Sequence, residues 1–451
     1  MKTTLLGFQH LLAMYAGAVL VPLIVGNAIG LTPTQLTYLV SIDILMCGIA
    51  TLFQISRNKV FGIGLPVVLG CTFTAVGPMI LIGNEYGISA IYGSVIASGA
   101  IIFVISGFFG RLVRFFPPIV TGSVVTIIGI TLIPVAINNM GGGQGAADFG
   151  SMTNIGLSFG TLLFIVLLYK FSSGFLQSIS ILLGLVVGTV AAVFLGIVDF
   201  SNVQEASYVH MVAPFYLATP TFHVLPIVIM VLVGMVSLVE STGVYFALGD
   251  ICDEEIDQEK LKKGYRAEGL ASVIGGIFNA FPYTTFSQNV GLMQISGVKS
   301  RRVILVTAIM LISLGLLPKV AALAIIIPNA VLGGAMVAMF GMVIAQGIKM
   351  LSPVISKNQD NAMIVACSVG IGLGVQVVPE LFAGLPDSVQ ILTSNGIVLG
   401  SLTAIFLNII FNMIPSKKKP TEQQTAEMKS QTAVRNDGPS SVLVSASAQS
   451  K

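Results

Sequence analysis

Charge is what this sequence has least of. Only 9% of its 451 residues are Asp, Glu, Lys or Arg, while 55% are hydrophobic; a soluble domain carries about 25% charged residues. A soluble fold of this length needs a charged surface that the chain does not possess. A bilayer removes that need, because lipid solvates apolar side chains directly, and the mean hydropathy of +0.94 fits that solvent. Cysteine is scarce as well. Cys47, Cys71, Cys252 and Cys367 form no CxxC pair and no Cys/His cluster, so neither a disulfide framework nor a metal site is expected. Without a nucleophile–base or metal constellation, neither an enzyme nor a cofactor is expected. The net charge of +3 is small, and no nucleic-acid partner is expected. No short apolar core followed by a small-residue cleavage site opens the chain, so the first apolar stretch reads as its own insertion signal.

What the chain has is long apolar stretches. A helix crosses the hydrocarbon with about 20 apolar residues. Such stretches fall at roughly 5–25, 36–56, 65–82, 86–109, 117–137, 155–171 and 175–198. A second set falls at roughly 224–249, 266–280, 286–298, 302–318, 320–348, 361–379 and 391–414. The reading is an all-α integral membrane protein of about fourteen spans, as two sets of seven: residues 1–200 and 220–414. Positive charge tests the count. Lys and Arg lie after the even-numbered spans, as Arg57 and Lys59, Arg111 and Arg114, Lys170, Lys260 to Arg266, Lys299 to Arg302, Lys349 and Lys357, and Lys417 to Lys419. Lys319 falls outside the pattern, and the long loops 138–154 and 199–222 hold no Lys or Arg. This asymmetry predicts both termini in the cytoplasm. Residues 415–451, rich in Ser, Gln, Thr and Lys, read as a disordered tail.

An odd number of spans per half inverts the second half relative to the first. Inverted repeats are a common transporter architecture, with the substrate site at broken helices near the midplane. One echo fits it. The third stretch carries Thr72-Phe73-Thr74-Ala75-Val76-Gly77, and the tenth carries Thr285-Phe286-Ser287-Gln288-Asn289-Val290-Gly291. Both are polar, β-favouring and flanked by Pro and Gly.

Three acids lie deep inside spans: Asp43, Glu240 and Glu268. A charge at the bilayer centre costs at least about 2.5–3.5 kcal/mol. A carboxyl group in dry surroundings without a cationic partner favours its neutral form, which suits a carrier that loads and releases H⁺. For Glu240 function is favoured over packing. Glu268, near the expected start of its helix, has the alternative of pairing with Arg266, and Asp43 that of bonding a neighbouring helix. His10, after Gln9, is either an interfacial side chain or a relay partner for an acid; His210 and His223 read as solvated. Gln288-Asn289 is the strongest polar pair. A primary amide presents donors and an acceptor in one plane, matching a planar solute with adjacent N–H and C=O groups, such as a nucleobase. Helix–helix bonding is the structural alternative. Phe73 and Phe286 offer flat faces for stacking.

The run from Gln288 to Arg301 resembles the signature of the nucleobase–ascorbate transporter family. Gln9-His10 and Glu240-Ser241-Thr242-Gly243 resemble its two other markers, in the right order, and the resemblance covers about residues 1–414. Gly64 to Ala75 and Ala280 to Tyr283 look most like its bacterial xanthine and urate permeases. The resemblance implies fourteen helices, with a core domain of helices 1–4 and 8–11, a gate domain of helices 5–7 and 12–14, and short strands in helices 3 and 10. It implies Glu240 as the substrate-binding acid, Gln288 as the recognition amide beside Asn289, Glu268 and His10 in the proton network, and Thr74 as the polar position of helix 3. Two positions depart from the pattern. Val244 stands where other members have Asp or His, which leaves Asp43 or His10 to serve instead. Thr74 in place of Asn is also found in urate carriers. The expectation is a proton-coupled symporter for an oxidised purine, xanthine first and urate or uracil next, with an anion exchanger or channel of the same fold as the other class. The expected partners are the purine, H⁺ and the lipid bilayer; a homodimer is open to the chain without being specified by it.

Overall fold

The computed structural model describes residues 2–108, 117–209, 212–385, 393 and 395–414. Arg111, Arg114, His210, the start of the last expected span at 391–392 and the tail 415–451 lie outside the described residues. The chain divides into a unit of residues 1–408 and a second from 409 on, in which Ile409–Met413 forms a π-helical turn.

Among the described residues the regular structure of the first unit is helical apart from two three-residue strands. In chain order it runs α1 (Lys2–Ala28), α2 (Pro33–Ile55), β1 (Leu69–Cys71), a 3₁₀ turn (Phe73–Ala75), α3 (Val76–Tyr86), α4 (Ile88–Ile105), α5 (Pro118–Met140), α6 (Met152–Phe171), α7 (Phe175–Ser178), α8 (Ser180–Phe194) and α9 (Ser201–Glu205). It continues as α10 (Val224–Cys252), α11 (Gln258–Ile277), β2 (Tyr283–Thr285), α12 (Ser287–Ser296), α13 (Arg301–Gly315), α14 (Pro318–Ile325), α15 (Asn329–Ile355), α16 (Gln359–Val377) and α17 (Gly396–Asn408). Among the described residues nine helices are long and apolar enough to cross a bilayer, or ten if α13 and α14, bent by 80°, make one span. The chain is a multi-pass membrane protein. Several expected spans fall short of that criterion for physical reasons. α3 and α12 are 11 and 10 residues long because their helices are interrupted. α11 is 20 residues long but carries the charges Glu259 to Glu268.

Three boundaries differ from expectation. The stretch read as one helix over 320–348 is cut at Pro328, which caps α15, and its first part is α14, opened by Pro318. Proline has no N–H to give a preceding turn, and Pro318 and Pro328 both stand at helix starts, where that donor is not needed. α11 begins at Gln258, not near 266, because Asp257 caps it by accepting from the Lys260 N–H at 2.7 Å. Glu268 is therefore in mid-helix. The stretch at 175–198 is two helices, α7 and α8, rather than one.

Packing pairs helices across the sequence. α5 lies along α15, α4 along α11 and α10, α2 and α1 along α13, and α16 along α17. Close approach is bought with glycine: a Cβ at Gly129 would lie 2.9 Å from the Ile344 nitrogen, and one at Gly269 2.7 Å from the Gly99 carbonyl oxygen. Outside the spans, Glu254 pairs with Arg57 at 2.7 Å and Lys260 at 3.1 Å, and Asp253 pairs with Lys299 at 2.6 Å. The Lys260 ammonium beside Glu254 holds its carboxyl below the usual range. These pairs tie the α10–α11 turn to its neighbours, and exposed pairs of this kind add little stability.

The interruptions carry the architecture. Pro66 and Pro282 lack donors, and the backbone beside them is not helical. In a bilayer each freed N–H and C=O must find a partner inside the protein. β1 and β2 pair antiparallel, with Leu69 opposite Thr285, Gly70 opposite Thr284 and Cys71 opposite Tyr283. The Thr72 N–H donates to the Pro282 carbonyl and the Phe286 N–H to the Val68 carbonyl, both at 3.0 Å. Side chains take the rest: Thr51 Oγ1 accepts from the Leu69 N–H at 3.0 Å, and Asp43 Oδ1 from the Phe281 N–H at 2.9 Å. Thr51 and Leu69 are fully buried. Thr51→Val keeps the shape and leaves that N–H unpaired, at a cost of about 1–3 kcal/mol. We expect a lower melting temperature for the detergent-solubilised variant; a melting curve that superimposes on the parent's would show that this bond does not hold β1.

Candidate functional site

The two strands meet at a cavity of about 380 Å³. β1 and the turn after it contribute Cys71, Thr72, Phe73 and Thr74, and β2 with the start of α12 contributes Thr284, Thr285, Phe286, Ser287 and Gln288. Glu240 reaches it from the middle of α10. Every residue expected to touch substrate, Glu240, Gln288, Phe73, Thr74 and Phe286, therefore lines one space. Gln288 is exposed to it, Glu240 and Phe73 half so, and Phe286 is buried. The Thr74 hydroxyl donates to the Glu240 carboxylate and accepts from Thr72 Oγ1 at 3.0 Å. Thr72 also lies 3.4 Å from Ser237 Oγ. One carboxylate oxygen is thus oriented by the protein while the group still fronts open space.

The residues expected in a proton network are buried, and none of them is among those lining this cavity. Glu268 accepts from Ser241 Oγ at 3.1 Å and from the Tyr245 hydroxyl, which in turn accepts from the Gln54 amide. Ser241 accepts from Thr285 Oγ1 and lies within hydrogen-bond distance of Thr284 Oγ1, each at 3.1 Å. Glu268 is thereby joined to β2. It does not pair with Arg266, the alternative raised by the sequence. Two residues apart on a helix, they face different sides, and Arg266 turns to Ser106 Oγ at 3.3 Å and the Phe103 ring at 5.3 Å. Asp43 holds β2 from α2, accepting also from the Tyr283 hydroxyl at 3.4 Å, with the Cys71 thiol close by. Asn289 donates to the His10 carbonyl at 3.0 Å and lies 3.1 Å from its ring Nδ1, which ties α12 to α1.

Several contributors carried no sequence signal. Tyr245 supplies the hydroxyl next to Val244, which is buried in an apolar cluster with Leu248 and Tyr265. Val125 and Ile128 of α5 and Met339, Met342, Val343 and Gln346 of α15 complete the lining. Apolar residues facing a cavity and facing lipid look alike in sequence; only Gln346, an amide within an apolar span, stood out in principle. A second cavity of about 250 Å³ adjoins the first. Phe73, Phe286, Gln288, Met339 and Met342 border both, and Tyr169 and Gln177 lie on the far side.

A polar pocket built on broken helices inside a helical membrane protein defines a transport protein. The chain matches the model of the Permease family over residues 1–381. It belongs to that family, the nucleobase–ascorbate transporters, whose members are carriers and not enzymes. It is 63% identical to "Xanthine permease" of Bacillus subtilis (strain 168), over 96% of this chain and 99% of that protein. It is 60% identical to "Uric acid permease PucK" of the same organism, over 91% and 96%. Among solved structures it shares the fold of the transmembrane domain of the cyanobacterium bicarbonate transporter BicA, with a TM-score of 0.55 at 17% identity, over 90% of this chain and 97% of that one.

Phe286 is set by two glycines. A Cβ at Gly17 would lie 2.6 Å from Phe286 Cε1, and one at Gly70 2.7 Å from its Cδ2. Gly70→Ala forces the Phe286 ring out of its present position on the cavity wall, and overpacking of this kind is not absorbed by a tightly packed surround. Uptake of the transported solute should fall about tenfold or more, with normal membrane insertion, and Phe286→Leu in the same protein should restore part of it. Parental uptake by Gly70→Ala would show that the ring position does not matter.

Proposed function

We propose that the chain is a proton-coupled symporter that imports an oxidised purine, xanthine first and urate next, across the cell membrane. The observation that carries this reading is that Glu240 and Gln288 border one cavity together with the rings of Phe73 and Phe286. A carboxylate only accepts hydrogen bonds, so it pairs with ring N–H groups; a primary amide donates to a ring carbonyl and accepts from the N–H beside it. Aromatic faces suit a flat base. Among the described residues the cavity lining holds no Lys or Arg for an inorganic anion to pair with, which argues against an anion exchanger. Relatives named for xanthine and for uric acid support the substrate class, and their similar identities of 63% and 60% leave the choice of purine to measurement.

The layout in this reading is a fourteen-helix inverted repeat with both termini cytoplasmic. Residues 1–200 and 220–414 are the two repeats, helices 1–4 and 8–11 the core domain, and helices 5–7 and 12–14 the gate domain. The pairing of α5 with α15 and of α4 with α11 is in keeping with that division. Glu240 binds the base, and Glu268 carries H⁺ in a network with His10, Asn289 and Asp43. The Thr74 hydroxyl links Glu240 to the turn after β1 and the Ser241 hydroxyl links Glu268 to β2, so that loading of the base and of the proton act on the same paired breaks.

Two measurements test this. Glu240→Gln keeps the shape and replaces one acceptor oxygen by a donor, leaving a ring N–H unmatched. Xanthine affinity should drop by roughly tenfold to a hundredfold, the range of a buried unsatisfied group; equal affinity in a well-expressed Glu240→Gln protein would remove Glu240 from the site. Uptake of labelled xanthine should collapse with a protonophore and persist in sodium-free buffer, and an absolute need for sodium would refute proton coupling.

A further inference from the structure

The cavity has two unlike walls. One, from the strand pair, α10 and α12, is polar, with Thr72, Thr74, Glu240 and Gln288. The other, from α5 and α15, is Val125, Ile128, Met339, Met342 and Val343, with a single polar member, Gln346. Residues 339, 342, 343 and 346 follow the spacing of one helix face, so Gln346 belongs to the same stripe. It stands four residues beyond the midpoint of the 27-residue helix α15, about 6 Å along the axis. Its side chain is exposed, and among the described residues it makes no hydrogen bond to the protein. A primary amide inside a span is costly unless a polar group meets it. Helix-to-helix bonding, the usual structural use of such a group, is not what Gln346 does here.

We propose that Gln346 is a specificity-determining residue, its amide hydrogen-bonding the edge of the bound base that Glu240 and Gln288 leave free. This rests on the reading of the cavity as a purine site. A base held by one edge against the polar wall turns its remaining ring oxygens and N–H groups toward α5 and α15. Those residues offer apolar contact everywhere except at Gln346. Its amide donates to a carbonyl and accepts from an N–H in one plane, so it distinguishes purines that differ in a single ring oxygen on that edge. A site built to bond such a group rejects the analogue that lacks it far more strongly than an apolar wall does.

The test compares the parent with Gln346→Leu, which keeps the bulk and removes both donor and acceptor. Uptake of labelled xanthine is to be challenged with unlabelled hypoxanthine, xanthine and urate, which form a series of increasing oxidation. The ratio of half-inhibiting concentrations between at least two of these bases should change about tenfold in Gln346→Leu. Calorimetric binding of the same bases to purified protein should give the same change, which separates recognition from expression or turnover. Unchanged ratios, including a uniform loss of affinity for all three, would overturn the assignment and leave Gln346 a structural residue. A parent protein that neither takes up nor binds any purine is a different result, which overturns the purine reading itself.

Discussion

Two helices of this protein stop inside an apolar solvent, and the backbone groups they release have to be paired there. Everything at the cavity depends on that constraint. Water is not on hand to accept the loose N–H groups, and each one left bare costs several kcal/mol. The chain answers by joining the two breaks to each other, Leu69–Cys71 against Tyr283–Thr285, and by turning Thr51 and Asp43 toward the remaining donors. The pairing does more than satisfy hydrogen bonds. It brings residues more than 200 positions apart in sequence to one place, Thr74 and Phe73 from one break and Phe286 and Gln288 from the other.

The buried acids divide along the same line. Glu240 faces the cavity with one hydroxyl partner, Thr74, and keeps capacity for a ligand. Glu268 is enclosed by Ser241 and Tyr245, and Asp43 by the Phe281 backbone and Tyr283. All three were recognisable as charges in the wrong solvent, yet their surroundings give them different work. Asp43 bonds the backbone just before β2 and a side chain within it. Glu268 reaches the strand through Ser241, a residue whose hydroxyl is shared among Glu268, Thr284 and Thr285. A change at either acid is thereby felt by the strand pair that shapes the cavity.

Much of this was legible beforehand, and for identifiable reasons. Polar residues in apolar stretches are conspicuous, and Glu240, Gln288 and Thr74 all face the cavity. Proline and glycine marked both breaks, and the resemblance implied a short strand in each, but their pairing is a finding of the structure. The wall made by α5 and α15 was invisible, because Met339 or Ile128 has the same character whether it meets a ligand or a lipid tail. The start of α11 was misplaced because its first turns are charged and read as a loop, whereas Asp257 caps them into the helix. The cut at Pro328 was missed because apolar residues run on either side of it, and hydropathy does not register the lost N–H.

The seam between the two cavities has a mechanical meaning. Phe73, Phe286, Gln288, Met339 and Met342 line both spaces, so the two meet along these five side chains. Two aromatic rings give the seam stiffness, and two methionines, unbranched and flexible, fill irregular gaps. A change in one space at this seam therefore moves side chains that also shape the other, and a substitution at any of the five alters both volumes at once.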